Sequence, residues 1–165
     1  STSRPATGSR AAAMAVRFGG TGSGTGSFNG VLDGIPNSDL SANGPTTATF
    51  SAGTTVAAME LVYLDSSSTW QLTDADAVAT ASGMVALALE AKTSGQTMSV
   101  ALAGAFVRND AWSWTPGATL YISLTPGAIT ATQPSATDDV IRVVGFAMTA
   151  DVIFFNPSPD FITHT

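Results

Sequence analysis

Apolar and polar positions along this chain alternate with a period near two, in short stretches that turn residues interrupt. Met59-Glu60-Leu61-Val62-Tyr63-Leu64 and Thr69-Trp70-Gln71-Leu72 read as strands, separated by a corner at Asp65 to Ser68. Thr46 to Ser51 is a plausible first strand. Met84 to Ala91 would suit a helix by propensity, but Gly83 and Gly95 bracket it at strand length, so it is assigned as a strand. Thr97 to Arg108 is predicted as one strand, with Met98, Val100 and Leu102 on one face and Gly104 at a bulge or crossing point. Val140 to Thr149 repeats that device with Gly145 in mid-strand. Val152 to Phe155 supplies a last strand, which Asn156-Pro157-Ser158-Pro159 ends. One helical turn is expected within Asp74 to Ser82, capped by Thr73, with Asp74 and Asp76 favouring its positive end.

Punctuation is clearest between Asn109 and Thr132. Two identical Thr-Pro-Gly-Ala corners, Thr115 to Ala118 and Thr125 to Ala128, flank the β-branched and aromatic run Thr119 to Leu124. Proline fixes φ at the first central position of a type II turn and glycine supplies the positive φ of the second. Eight or nine short strands with turns at close intervals predict an all-β fold, a compact β-barrel or β-sandwich with an extended N-terminal arm.

That arm differs in composition from the rest of the chain. Gly19 to Gly30 reads GGTGSGTGSFNG, whose backbone entropy is too costly to order alone. The turn formers Gly34, Pro36, Asn37, Asn43, Gly44 and Pro45 come next. Residues 1–45 are therefore assigned as arm and linker, and residues 46–165 as one β-rich module. The alternating glycines do not make a nucleotide loop. From Gly22 or Gly24 the third glycine of a dinucleotide fingerprint falls on Ser27 or Asn29, and no Lys-Ser/Thr pair comes after it.

Charge divides the chain at the same place. Arg4, Arg10 and Arg17 are the only ionisable side chains before Asp33, and all 12 acidic residues lie from Asp33 onward. A basic, acid-free arm thus precedes an acidic body, in a chain of net charge −6. Two readings of it stand: an arm that docks on an acidic surface such as a neighbouring subunit, with Arg4, Arg10, Arg17, Phe18 and Phe28 as contacts, or a solvated tail. Three cations fall far short of a nucleic-acid patch. The single lysine, Lys92, beside Thr93-Ser94-Gly95, is expected in an exposed turn. A surface of hydroxyls and small residues suits β-sheet and packing against other subunits.

Candidate chemistry is thin. No cysteine is present, which excludes disulfides and thiolate metal sites. His164, the only histidine, lies in a C-terminal stretch expected to be peripheral, so no nucleophile triad assembles. Asp33, Asn37 and Asp39 do not have the spacing of a calcium loop. Asp74 with Asp76 would need further ligands for metal or acid–base work, and Asp138-Asp139 reads as a turn. No cofactor, metal site or enzymatic activity is expected, a glycosidase using two of the aspartates being a distant third reading. No apolar run approaches the ~20 residues of a membrane helix, and no signal-peptide pattern opens the sequence. Trp112 and Trp114, two apart, would share a face of a strand. With Tyr121 they are candidates for a core, a subunit interface or a glycan-contact surface.

From about Val56 onward the order of short motifs resembles a module of tailed-phage virion proteins. The pieces are Val62-Tyr63-Leu64-Asp65, Trp70-Gln71-Leu72 with Asp74-Ala75-Asp76, Gly104 to Asp110, Trp114-Thr115-Pro116-Gly117, Tyr121-Ile122-Ser123 with Thr125-Pro126-Gly127, Val144-Gly145-Phe146-Ala147, and Phe155 to Pro159. No piece is specific alone; their order covers roughly two-thirds of the chain, and the N-terminal third does not match. The resemblance implies a capsid decoration (cement) protein or a head- or tail-fibre protein, usually trimeric, with no catalytic residues. The expectation is a homotrimer on the capsid surface of the virion, with the major capsid protein as partner. The alternative is a fibre or adhesin module binding host glycans through Trp112, Trp114, Asn109 and Asp110.

Overall fold

The computed structural model describes residues 35–165. The arm residues Arg4, Arg10, Arg17, Phe18 and Phe28 lie outside the described residues. The rest is nearly all β, as expected, with more and shorter strands than the alternation suggests. In chain order they are β1 (Ser41–Asn43), β2 (Thr46–Thr47), β3 (Ser51–Ala52), β4 (Leu61–Leu64), β5 (Thr69–Leu72), β6 (Val85–Ala88) and β7 (Val100–Ala101). Next come β8 (Ala105–Arg108), β9 (Thr119–Ile122), β10 (Ile129–Thr130), β11 (Val140–Ile141), β12 (Val143–Ala147), β13 (Val152–Phe155) and β14 (Ile162–Thr163). A four-residue helix, α1 (Val78–Ala81), joins β5 to β6.

Two six-stranded sheets face one another. The first has the order β1-β8-β13-β12-β9-β10 and the second β2-β7-β6-β4-β5-β3, with β11 and β14 forming a separate pair. Between them lies one core, with Leu61, Leu87 and Ala101 from the second sheet against Val107, Leu120, Ile122, Val144, Ile153 and Phe155 from the first. The second sheet also curls. Its strand β3 runs parallel to β5, while the neighbouring backbone returns to the segment ahead of β7 through Met98 N to Phe50 O at 3.1 Å and Ala52 N to Gln96 O at 2.9 Å. The curl stops short of a regular barrel and encloses a second core of Val56, Val62, Trp70, Met98 and Val100. Trp70 is fully buried there, edge-on to Phe50 with ring centroids 6.1 Å apart.

Several predicted elements divide. Thr97 to Arg108 is not one strand: β7 belongs to the second sheet and β8 to the first, and the chain crosses between them at Gly104, whose φ is +92°. Glycine tolerates that left-handed backbone, so the position is a crossing rather than a mid-strand bulge. Thr46 to Ser51 likewise splits into β2 and β3. Val140 to Thr149 breaks at Arg142, and a register shift lies between Val143 and Gly145. β1 forms within residues assigned to the linker, pairing with β8.

The helical turn starts later than expected. Its N-cap is Ala77, with no side-chain cap, so Thr73 does not cap it and no acidic residue lies in its first turn. Thr73 is buried and bonded into the sheet, its amide donating to Leu61 O at 3.1 Å. Asp74 Oδ1 accepts instead from the amide of Asp76 at 3.0 Å, an Asx turn ahead of the helix.

Both Thr-Pro-Gly-Ala corners form the predicted type II turns. Ala118 N donates to Thr115 O and Ala128 N to Thr125 O, each at 3.0 Å, with φ of +84° at Gly117 and +74° at Gly127. They stand at the two ends of β9: the first leads into it and the second joins it to β10. Asp138 has a φ of +71° in the turn before β11, also as expected.

Candidate functional site

Among the described residues, one face of the first sheet has no second six-stranded sheet upon it. Along β8, buried Ala105 and Val107 alternate with half-buried Phe106 and Arg108. Along β9, buried Leu120 and Ile122 alternate with half-buried Thr119 and Tyr121. Alternate strand residues point to opposite faces, so one set fills the core and the other faces outward. The pairing register then aligns Phe106 with Phe154 and Phe154 with Phe146 across β8, β13 and β12. This makes a rung of three phenylalanines. The rings of Phe106 and Phe154 lie 5.2 Å apart, and Phe146 is 44% exposed. Tyr121 pairs with Val143 one step along.

Gly145 permits this arrangement. A side-chain Cβ at that position would overlap the carbonyl oxygen of Phe154, so only glycine lets β12 pair this closely with β13. Beside the rung opens a groove of about 580 Å³, lined by Ile141, Val143, Phe146, Pro157, Phe161 and Ile162 among others. Ile162 is 64% exposed. Asp160 is the charged residue on the groove wall. Rung and groove share Val143 and Phe146, so the apolar strip is continuous.

Charge at the outer face comes from Arg108 between Asp110 and Asp151, and from Asp160 on the groove wall. Arg108 Nε donates to Asp110 Oδ1 at 2.6 Å, and its Nη2 lies 3.7 Å from Asp151 Oδ2. Behind the groove, Arg142 is buried with no carboxylate in ion-pair contact among the described residues. Its guanidinium donates to the carbonyl oxygens of Ala81 at 2.6 Å, Gly83 at 2.7 Å and Ser158 at 2.8 Å. Burial pulls its pKa below the ordinary arginine value. It is a tie between α1 and the loop ending the β13 segment.

The tryptophans are placed differently from expectation. Residues 111–116 are not a strand, so the shared face cannot come from strand alternation. The rings of Trp112 and Trp114 nonetheless meet, with centroids 5.9 Å apart and planes tilted by 51°. Both are half-buried against the core between the sheets, and Trp114 Nε1 is buried without a hydrogen-bond partner. Asn109 Oδ1 accepts from the amide of Ala111, and Asp110 engages Arg108. The two rings are thus tilted against each other on the core, and the neighbouring polar groups are bonded within the chain. Tyr121 stands apart from this pair, on the outer face of the sheet.

The remaining candidates have structural roles. Asp39 Oδ1 accepts from the amides of Leu40 at 2.9 Å and Asp110 at 2.7 Å, fastening the chain ahead of β1 to the tryptophan loop. Asp139 is buried and Oδ2 accepts from Ala136 N at 2.8 Å. Lys92 is half-buried rather than exposed, paired with Glu90 at 3.0 Å, and Glu90 is held below the usual carboxylate range chiefly by the amide of Ser99. His164 lies beyond β14, and its amide donates to Asp139 O at 2.8 Å. Among the described residues no group of three or more His, Cys, Asp or Glu could hold a metal ion, and no helix is long and apolar enough to cross a membrane.

Sequence reasoning missed the phenylalanine rung. Phe106, Phe146 and Phe154 each sit in a strand run, but which strands neighbour one another, and in what register, is a tertiary fact. Compared with protein-family models, curated proteins and solved structures, the chain matches none of them significantly.

Proposed function

We propose that this chain is a structural, non-enzymatic virion protein, a homotrimer that binds the outside of a bacteriophage capsid and stabilises it through the major capsid protein. The observation that carries this reading is where the motifs of the resemblance fall. Trp114 to Gly117 and Thr125 to Gly127 are the turns bounding β9, and Gly104 to Asp110 is the crossover into β8. Val144 to Ala147 contains the register shift of β12, and Phe155 to Pro159 leaves β13 for the groove wall. Val62 to Asp65 and Trp70 to Leu72 fall on β4 and β5 of the second sheet. The motifs thus mark strands and corners of both sheets rather than a set of reactive groups, which supports a structural role.

In this reading the arm of residues 1–30 engages the trimer or the shell. Three arms acting together offset the ordering cost of each. The test is co-sedimentation of purified chain with phage heads stripped of their surface proteins. Saturable binding in multiples of three, weakened on deletion of residues 1–30, supports the proposal; undiminished binding by the truncated chain removes the arm from it, and no binding removes the capsid. The glycan-binding alternative needs presented rings, and the packing of Trp112 and Trp114 disfavours it.

A further inference from the structure

We propose that the hollow lined by the β9–β10 corner and the loop from β10 to β11 binds an organic cation, an ammonium or guanidinium on a short alkyl stem, with Asp139 as its anchor. The hollow has a volume of about 260 Å³, and Ser123, Leu124, Thr130, Thr132, Pro134 and Asp139 are among its walls. It shares no lining residue with the groove beside the phenylalanine rung, and it does not depend on the capsid reading.

An unpaired, buried charge chooses the ligand. Asp139 is only 5% exposed, and among the described residues no Lys, Arg or His nitrogen lies within ion-pair distance of it. Its Oδ2 accepts from Ala136 N at 2.8 Å, whereas no donor among the described residues reaches Oδ1. Oδ1 is nonetheless not sealed from solvent, and the hollow is an opening that Asp139 lines. A carboxylate taken so far out of water is costly unless a cation meets it. The ligand that gains most there is therefore positive, and the chain's net charge of −6 draws cations toward it.

The walls suit the rest of such a ligand. Ser123 Oγ and Thr130 Oγ1 are each fixed by a backbone amide, that of Thr125 at 3.0 Å and that of Thr132 at 3.0 Å. Each hydroxyl oxygen keeps a second lone pair that can accept from a ligand N–H. Leu124, which is exposed, and Pro134, which is buried, give apolar surface for a stem. The anchor is set in advance: Asp139 N donates to Ala136 O at 3.2 Å, and Asp139 O accepts from His164 N at 2.8 Å. A sugar would leave the charge unpaired, and no aromatic ring among the described residues lines the hollow to stack one. A bare metal ion would find a single carboxylate.

The experiment is titration of the full chain at fixed ionic strength with n-butylguanidinium, its neutral isostere n-butylurea, and methylguanidinium, followed by backbone-amide NMR shifts. The expected result is saturation by butylguanidinium with a Kd of about 1 mM, as suits so small a ligand, and shifts concentrated between residues 123 and 139. Butylurea should not bind, and methylguanidinium should bind several-fold more weakly. Asp139→Asn should weaken butylguanidinium by about tenfold or more, and Leu124→Ala should bring it to the level of methylguanidinium. Equal binding of butylurea, binding unchanged in Asp139→Asn, or shifts spread over Asp110, Asp151 and Asp160 instead would overturn the site. Should Asp139→Asn fail to fold, butylurea and the exposed-site variant Leu124→Ala decide. Two sources supply such a head group: a free amine or guanidine, and the arm's own Arg4, Arg10 and Arg17. The combined variant Arg4→Ala, Arg10→Ala, Arg17→Ala separates them. Butylguanidinium binding it about tenfold more tightly than wild type assigns the site to the arm, and equal binding assigns it to a ligand from elsewhere. No saturation in either protein refutes the site.

Discussion

Arg142 Nη1 donates to the carbonyl oxygen of Ala81 at 2.6 Å, across 61 residues of sequence. The same guanidinium reaches Gly83 and Ser158, so one buried cation joins α1, the start of β6 and the groove wall. Replacing it leaves carbonyls buried without a donor. Arg142→Met should cost about 2–5 kcal/mol in urea unfolding, with Arg142→Lys falling between it and wild type because a point ammonium cannot span the three acceptors. A loss below about 0.5 kcal/mol, the level of a surface substitution, would show that the tie is dispensable.

The two type II turns make a matched pair for testing backbone against packing. At Gly117 an added Cβ meets nothing within 4 Å, so Gly117→Ala carries only the left-handed strain, about 1 kcal/mol. At Gly127 it would lie 2.9 Å from Leu72 Cδ2 and 3.1 Å from Glu60 Cβ. Gly127→Ala should therefore cost more, about 2–4 kcal/mol in the same assay. Equal losses would mean that the second turn does not pack on Leu72 and Glu60.

Trp70 fills the curled sheet but leaves Nε1 buried with no partner. Trp70→Ala should cost about 3–5 kcal/mol through the cavity it opens. Trp70→Phe loses volume yet also removes an unsatisfied donor, and the two effects offset to within about 1.5 kcal/mol. Equilibrium denaturation of both variants separates packing from polarity: a phenylalanine variant as weak as the alanine one would assign a bonding role to the indole N–H.

Asp65 gives the fold an acid-sensitive corner. The amide of Thr69, then the side-chain amide of Gln71 and the hydroxyl of Thr69, hold its pKa at about 2 against an ordinary 3.8. A lowered carboxyl stabilises fully above the unfolded value and loses that contribution as pH falls through the folded one. Asp65→Asn should therefore melt below wild type at pH 7, because its amide would face two donors, and the difference should close as pH falls from about 4 toward 2. A gap that is constant with pH would show that the charge at Asp65 is not what the corner uses.

Local patterns made much of this legible. β5 and β13 appear over the residues that alternation assigned, and both proline–glycine corners are the turns their chemistry demands. What sequence could not reveal was partnership. Thr97 to Arg108 reads as one apolar stretch although the chain changes sheets at Gly104: Met98 and Val100 bury in the core of the curled sheet, Ala105 and Val107 in the core between the sheets. Nothing in the sequence marks Arg142 as a buried tie, because its carbonyl acceptors lie 16 to 61 residues away. Thr73 had a capping side chain in the right place, but the sheet claimed it first. The phenylalanine rung needed three strands in register, and the tryptophans came together through a loop rather than a strand.

Cryo-electron microscopy of virions carrying this chain tests the central claim most directly. The account predicts three-fold knobs of density on the outer capsid surface, into which residues 35–165 fit as trimers. Density for the chain on a tail or fibre, or none on the particle, would contradict it.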